Sequence, residues 1–186
     1  VESLSGSIRE IAEARRFDRG DNFLLQEKIT PIMLGGKRAW FRVFHVFDKI
    51  IPCWWDDRIS RYEHVREEEF QNHRFSPLAK IVSKIAEITR MVWFSSEIAI
   101  DNKSGQHRFV VIDYVNDQCD MTAQSRDKTG VPDEVIDYIA FFIVQAAYKL
   151  IHSHEIGKDY TIWLHKGNHI RVRGLPDAPE PLVQIS

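Results

Sequence analysis

The fold is decided by residues 94–120, which read FSSEIAIDNKSGQHRFVVIDYVNDQCD. The apolar runs at 93–100 and 108–115 are rich in β-branched and aromatic residues, as is typical of strands. The polar residues NKSGQ between them include Gly105, which can adopt the positive φ of a tight turn. The pattern predicts two antiparallel strands joined by a hairpin turn.

The chain before this hairpin predicts further strands. Residues 22–29, NFLLQEKI, are expected to form one strand, and a turn is expected at Gly35-Gly36. Residues 39–55, AWFRVFHVFDKIIPCWW, predict a second hairpin that turns at Asp48-Lys49. Residues 56–74 are highly charged and poorly periodic, so we expect an exposed loop there.

Two helices and a final pair of strands complete the prediction. Ser76-Pro77 is a typical helix start, and the apolar residues after it recur at helical spacing. A second helix is predicted over 133–151, and strands are predicted at 160–164 and 169–173. This order of elements indicates an α+β fold in which helices cover an antiparallel β-sheet.

The composition argues against several classes of protein. The chain has 186 residues, the length of one domain, and 25 basic against 27 acidic residues give a formal net charge of −2. Dedicated nucleic-acid-binding proteins usually carry a basic excess. The apolar runs are shorter than the roughly 20 residues of a membrane span, and two cysteines are too few for a disulfide framework. We therefore expect a cytoplasmic protein with neither a membrane nor a nucleic-acid partner.

Two acidic residues of the 94–120 hairpin are candidates for a metal site. Glu97 lies on the first strand and Asp113 at a similar height on the second, and Asn116 follows. Carboxylates placed close together repel unless they share a proton or a cation, and oxygen ligands of this kind suit Mg²⁺. The alternative is an exposed hairpin whose acids form ion pairs with Lys103 or Arg108.

The segment FSSEIAI followed by FVVIDYVND resembles the C-terminal signature of ATP-grasp enzymes. In that family, acids and an Asn on adjacent strands hold Mg²⁺ against the phosphates of ATP. Earlier segments resemble the family in the same order. VESLSGSIREI at 1–11 is similar to the strand and Ser/Gly-rich loop that fold over the phosphates. NFLLQEKI is similar to the hinge strand that meets the adenine, and FRVFHVFDKIIPCWW to the strand pair after it.

The resemblance implies roles for particular residues. Glu97, Asp113 and Asn116 match the metal ligands of the family. Arg42 matches an arginine that contacts phosphate or substrate, which would make it the catalytic residue. The residues that match the hinge around the adenine are Gln26, Glu27, Lys28 and Ile29. The implied cofactors are therefore ATP and magnesium.

The same resemblance implies an ATP-grasp-like C-terminal lobe over residues 1–186. Residues 1–55 would form the nucleotide-covering lobe and the hinge strand, and residues 75–186 the metal-binding lobe, while the family's N-terminal subdomain is absent. The implied reaction joins a small-molecule carboxylate to an amine or a thiol through an acyl phosphate. The sequence leaves open whether the chain is an active enzyme and whether it forms a homodimer.

The sequence departs from the family pattern in three ways. Glu2 stands where the family usually has a Lys that reaches the phosphates. The usual acid-x-Asn spacing becomes Asp113-x-x-Asn116, which requires a bulge or a different ligand such as Asp117. The family's N-terminal subdomain would be missing. Glu2 and the missing subdomain favour a second hypothesis, a non-catalytic binding or interaction module that keeps the scaffold. A third hypothesis, an α+β domain with accidental motif matches, predicts that Glu97 and Asp113 do not converge in space.

Overall fold

A computed structural model of the protein describes residues 6–14, 27–103, 105–152, 160–163 and 169–172. Helices and antiparallel sheets alternate along these residues, so the predicted α+β class is confirmed. None of the helices described is long and apolar enough to cross a lipid bilayer.

A short helix and a small hairpin precede the main sheet. Helix α1 spans Ile8–Ala14, and strands β1 (Met33–Leu34) and β2 (Lys37–Arg38) pair with each other. They are joined by Gly35-Gly36, as predicted. Both glycines have positive φ, 56° and 81°, a conformation that costs glycine little and other residues more.

The main sheet contains five antiparallel strands. In chain order these are β3 (Trp40–Val46), β4 (Lys49–Asp56), β5 (Arg61–His64), β6 (Trp93–Asp101) and β7 (Arg108–Asn116). Their order across the sheet is β5-β4-β3-β6-β7, so the two predicted hairpins lie side by side with β3 at the centre. The turn of the first hairpin falls at Phe47-Asp48, one residue before its predicted position.

Helix α3 (Ser76–Thr89) covers one face of the sheet, and the short helix α2 (Glu67–Asn72) leads into it. Leu78 and Val82 of α3 are fully buried. Both pack in one apolar cluster with aromatic residues of the sheet, among them Phe41, Trp54 and Phe94. The predicted helix is confirmed, but it begins one residue early: Phe75 is the N-cap, where Ser76 was expected, and Pro77 is the second helical residue.

Helix α4 (Asp133–His152) covers part of the opposite face. Its Val135 and Ile139 are buried in a second cluster with Phe44 and Ile51. Because successive residues of a strand point to opposite faces, β3 supplies both clusters: Phe41 and Val43 pack on the α3 side, and Phe44 and Val46 on the α4 side. The apolar residues on both faces of β3 are therefore explained by helices on both sides of the sheet.

The stretch at 56–74 differs from the predicted loop, since it contains β5 and α2. Strand β5 extends the edge of the sheet by pairing with β4. Helix α2 buries Phe70, and its Glu69 accepts a hydrogen bond from Lys37 at 2.8 Å. These elements are held by contacts with distant residues, which a local charge pattern does not reveal.

Two predicted elements near the N-terminus lie partly outside the described residues. Of the predicted strand at 22–29, residues 22–26 lie outside, and residues 27–29 have no regular secondary structure. The strand prediction is wrong for that described part. Of the segment at 1–11, residues 1–5 lie outside, and the chain from Ile8 onward is helical.

The last two predicted strands are confirmed within the described residues. Strand β8 (Tyr160–Trp163) pairs with β9 (His169–Val172) in an antiparallel ladder.

Candidate functional site

Three charged residues lie side by side on the face of the sheet that α4 partly covers. Arg42 of β3 is the register partner of Glu97 of β6, and Glu97 is the partner of Asp113 of β7. Directly opposed residues of an antiparallel pair project their side chains to the same face. Phe44, two residues after Arg42, packs with α4 and so identifies that face. The candidate site is a row of side chains across three neighbouring strands.

A bulge in β7 brings Asn116 into the same row. Glu97 pairs with Asp113 and Ser95 pairs with Asn116, so β7 advances by three residues while β6 advances by two. An extra residue of this kind is a β-bulge, which interrupts the ladder and redirects the side chains around it. The bulge that the sequence spacing requires is therefore present. Glu97 and Asp113 converge, contrary to the third hypothesis.

Glu97 is bound on both of its carboxylate oxygens. Nη2 of Arg42 donates a charge-assisted hydrogen bond to Oε1, and the indole Nε1 of Trp40 donates to Oε2 at 3.3 Å. Both charged side chains are largely buried, with 13% of Arg42 and 16% of Glu97 exposed. Charges this buried must stay paired, because removing one partner leaves the other without its compensation.

Arg42 retains unused capacity to bind an anion. Its Nε is buried and has no hydrogen-bond partner among the residues that the structure describes. Its guanidinium lies 5.6 Å from the centre of the Trp55 indole, within the range of a cation–π contact. The planar fork of N–H groups on arginine matches the geometry of phosphate and carboxylate oxygens. The Nε is therefore an unsatisfied donor that solvent does not reach in this structure.

The carboxylate of Asp113 is in a different environment from that of Glu97. Asp113 is exposed, and within the described ranges no basic side chain forms an ion pair with it. Asn116 is half-buried, and its Oδ1 accepts a hydrogen bond from the backbone N–H of Gln118 at 3.1 Å. The row thus has one neutralised carboxylate and one that is open to solvent.

The basic residues of the hairpin turn bind other acids. Arg108 donates to its register partner Asp101, with Nε 2.9 Å from Oδ1, and Lys103 binds Glu27. The hydrogen bond from Arg108 lowers the pKa of Asp101 below its ordinary value. The alternative in which the acids pair with Lys103 or Arg108 is therefore wrong for Glu97, whose partner comes from β3.

The described residues among those matched to an adenine-binding hinge do not join this row. Gln26 lies outside the described residues. Glu27 and Lys28 are exposed and Ile29 is half-buried. The hydrogen bond from Lys103 lowers the pKa of Glu27. This contact places Glu27 at the turn of the β6–β7 hairpin, beyond the end of the strands that carry Arg42 and Asp113.

The oxygen donors of the row suit magnesium in kind. Mg²⁺ is usually held by one or two carboxylates together with substrate phosphates and water. Glu97, Asp113 and Asn116 offer two carboxylates and an amide oxygen. No group of three or more His, Cys, Asp or Glu side chains in the described part of the chain could hold a metal by itself. Because Glu97 is bound by Arg42, a cation would reach it only in exchange for the guanidinium.

Two tryptophans, Trp40 and Trp55, frame the row and were not indicated by the sequence. Trp40 contacts Glu97, and Trp55 contacts Arg42. Trp54, by contrast, is buried in the cluster on the other face and donates to Glu69 at 3.2 Å. Strand alternation alone puts Trp40 on the same face as Arg42, so this part of the frame was open to prediction.

Comparisons with known proteins give no relative. No protein-family model, no curated protein and no solved structure matches the chain.

Proposed function

We propose that the chain is the ATP- and magnesium-binding part of an ATP-grasp-like ligase. The ligase would join a small-molecule carboxylate to an amine or a thiol through an acyl phosphate. The observation that supports this proposal is the convergence of Arg42, Glu97, Asp113 and Asn116, which come from three separate strands.

The proposed roles follow from the chemistry of phosphoryl transfer, which depends mainly on positioning and charge neutralisation. Glu97, Asp113 and Asn116 would hold magnesium, and the bound nucleotide would supply the phosphoryl group. Arg42 would donate to phosphate oxygens through N–H groups that Glu97 does not use, which would stabilise the charge that develops during transfer. Trp55 would keep the guanidinium in position through its cation–π contact.

The remaining parts of the proposal rest on the resemblance alone. The adenine would lie against the segment Gln26, Glu27, Lys28 and Ile29.

The proposal is tested by calorimetric titration of ATP with and without Mg²⁺. We expect micromolar affinity that requires Mg²⁺ in the wild type and is lost in Asp113→Ala. Asp137→Ala is the matched control, because Asp137 is also exposed but lies on α4, outside the row. Exposed substitutions of this kind change the free energy of unfolding little, so lost binding in Asp113→Ala reports on the site. Equal affinity in both variants would contradict the proposed role of Asp113.

A second candidate function is a non-catalytic module that keeps the ATP-grasp scaffold. The observation that favours it is that Glu97 is already bound by Arg42 and Trp40. Glu2, which stands where the family usually has a Lys, lies outside the described residues. This candidate predicts no ATP binding whether or not Mg²⁺ is present, so the same titration separates the two functions.

A further inference from the structure

We propose that two copies of this chain associate through an apolar groove between α4 and the turn that joins β3 to β4. The groove has a volume of about 700 Å³. The turn forms one wall with Phe47 and Asp48, and α4 forms the other with residues that include Ile143 and Lys149. The groove lies beyond the end of β3, away from the charged row, so the inference does not depend on the proposed function.

Large apolar side chains at this groove are exposed to solvent. Phe47 is 37% exposed, Val92 is 53% exposed and Ile143 is 40% exposed. The backbone N–H of Phe47 donates to the carbonyl oxygen of Val92 at 2.6 Å, so these two residues belong to one surface. Contiguous apolar patches on a protein surface mark places where another molecule binds.

The turn holds Phe47 in a conformation that does not favour phenylalanine. Its φ is 56°, in the left-handed region, where a bulky side chain is strained and glycine is not. Glycine would therefore suit this turn better as far as the backbone is concerned. The exposed ring at a strained position supports a role for Phe47 in contact with another molecule.

The charges on the two walls identify a second copy as the occupant. Asp48 on the turn is 72% exposed and pairs with its neighbour Lys49, while Lys149 on α4 is exposed and forms no ion pair with the described residues. A dimer whose two-fold axis runs along the groove sets the turn of one copy against α4 of the other. Each Asp48 then faces Lys149 of the second copy, and each Phe47 faces Ile143.

The surface is therefore complementary to itself. Each wall carries an exposed apolar side chain and one charge, and the two charges have opposite signs. A partner with a single sign of charge would match one wall and be repelled by the other, whereas a second copy matches both.

The experiment is analytical ultracentrifugation of the chain over a range of protein concentrations. In the wild type we expect a reversible equilibrium between monomer and dimer. Phe47→Gly and Ile143→Asp should each weaken the dimer at least about 10-fold, the effect of losing one buried apolar side chain. The matched control is Ile59→Asp, which should leave the dimer unchanged. Ile59 is 60% exposed but lies in the turn at the opposite end of β4.

Two charge reversals test the two-fold arrangement itself. Asp48→Lys leaves both walls basic and Lys149→Glu leaves both walls acidic, so each variant alone should dimerise at least about 10-fold more weakly. Mixed in equal amounts, the two variants should form a heterodimer, because each wall then faces the opposite charge again. A fluorophore on one of the variants reports the mixed species during sedimentation.

Three outcomes would overturn the inference. The first is a wild type that stays monomeric up to roughly 1 mM, the scale of a very weak contact. The second is a dimer that Phe47→Gly leaves as tight as in the wild type. The third is a pair of charge-reversal variants that do not associate when mixed. If Ile143→Asp does not fold, Phe47→Gly replaces it, since glycine relieves the strained turn and the variant should keep its fold.

Discussion

The ion pair between Arg42 and Glu97 should contribute strongly to the stability of the central strands. Only 13% and 16% of the two side chains are exposed, so removing either charge leaves the other largely buried and unpaired. Breaking a buried pair in this way costs about 3–5 kcal/mol. Glu97→Gln and Arg42→Met should each lower the free energy of unfolding by about 3 kcal/mol, the lower end of that range. We choose the lower end because Trp40 still contacts residue 97 and the row is open to solvent at Asp113.

The double variant should be much less unstable than the sum of the single variants. It carries no unpaired charge, the amide oxygen at position 97 can still accept from Trp40, and methionine replaces the aliphatic stem of Arg42. We therefore expect a coupling energy of about 2 kcal/mol, within the range seen for residues in direct contact. Urea unfolding of the four proteins, followed by circular dichroism at neutral pH, measures it. Effects that add within about 0.5 kcal/mol would refute the reasoning, because that is the behaviour of independent sites.

The core, the histidines and the thiols give three further predictions. Phe75→Ala should lower the free energy of unfolding by about 3–5 kcal/mol, because Phe75 is fully buried against neighbouring aromatic rings. A loss below about 1 kcal/mol would contradict this packing. Burial lowers the pKa of His45 and of His64 below 6.5, so the unfolded chain takes up protons first as the pH falls. The urea midpoint should therefore drop between about pH 7 and 5.5, and an unchanged or rising midpoint would contradict it. Burial raises the pKa of both Cys53 and Cys119, but only Cys53 is fully buried. A thiol reagent should therefore label Cys119 alone in the folded chain and both thiols after denaturation.

The hairpins could be predicted because their signals are local. The turn residues and apolar runs of residues 94–120 lie next to each other in the chain, and so do those of residues 39–55. The pairing of Glu97 with Asp113 follows directly from such a hairpin, and the bulge before Asn116 follows from the spacing. This part of the candidate site was therefore within reach of sequence reasoning.

The partner of Glu97 could not be predicted in the same way. Arg42 reaches it because β3 pairs with β6, and these strands are separated along the chain by β4, β5 and two helices. Nothing in the local pattern of either strand specifies that neighbour. The sequence therefore indicated the acids of the row but not the ion pair that neutralises one of them.

Short elements were missed for a related reason. Helix α2 has six residues, too few to be stable without tertiary contacts or to show a clear period. It is held by the buried Phe70 and by the hydrogen bonds that Glu69 accepts from Lys37 and Trp54. Residues 27–29 are the opposite case, since they continue a strand-like pattern but pair with no strand in the described part of the chain.

The most direct test of the magnesium site is to locate a divalent cation in the folded chain. Mn²⁺ accepts the same kinds of oxygen ligand as Mg²⁺, and its unpaired electrons broaden the amide signals of nearby residues in a nuclear magnetic resonance spectrum. With ATP present, we expect the signals of Glu97, Asp113 and Asn116 to broaden first, while that of Gly105 at the hairpin turn persists. Broadening centred on other acidic residues, or no selective broadening in the presence of ATP, would contradict a metal site in this row.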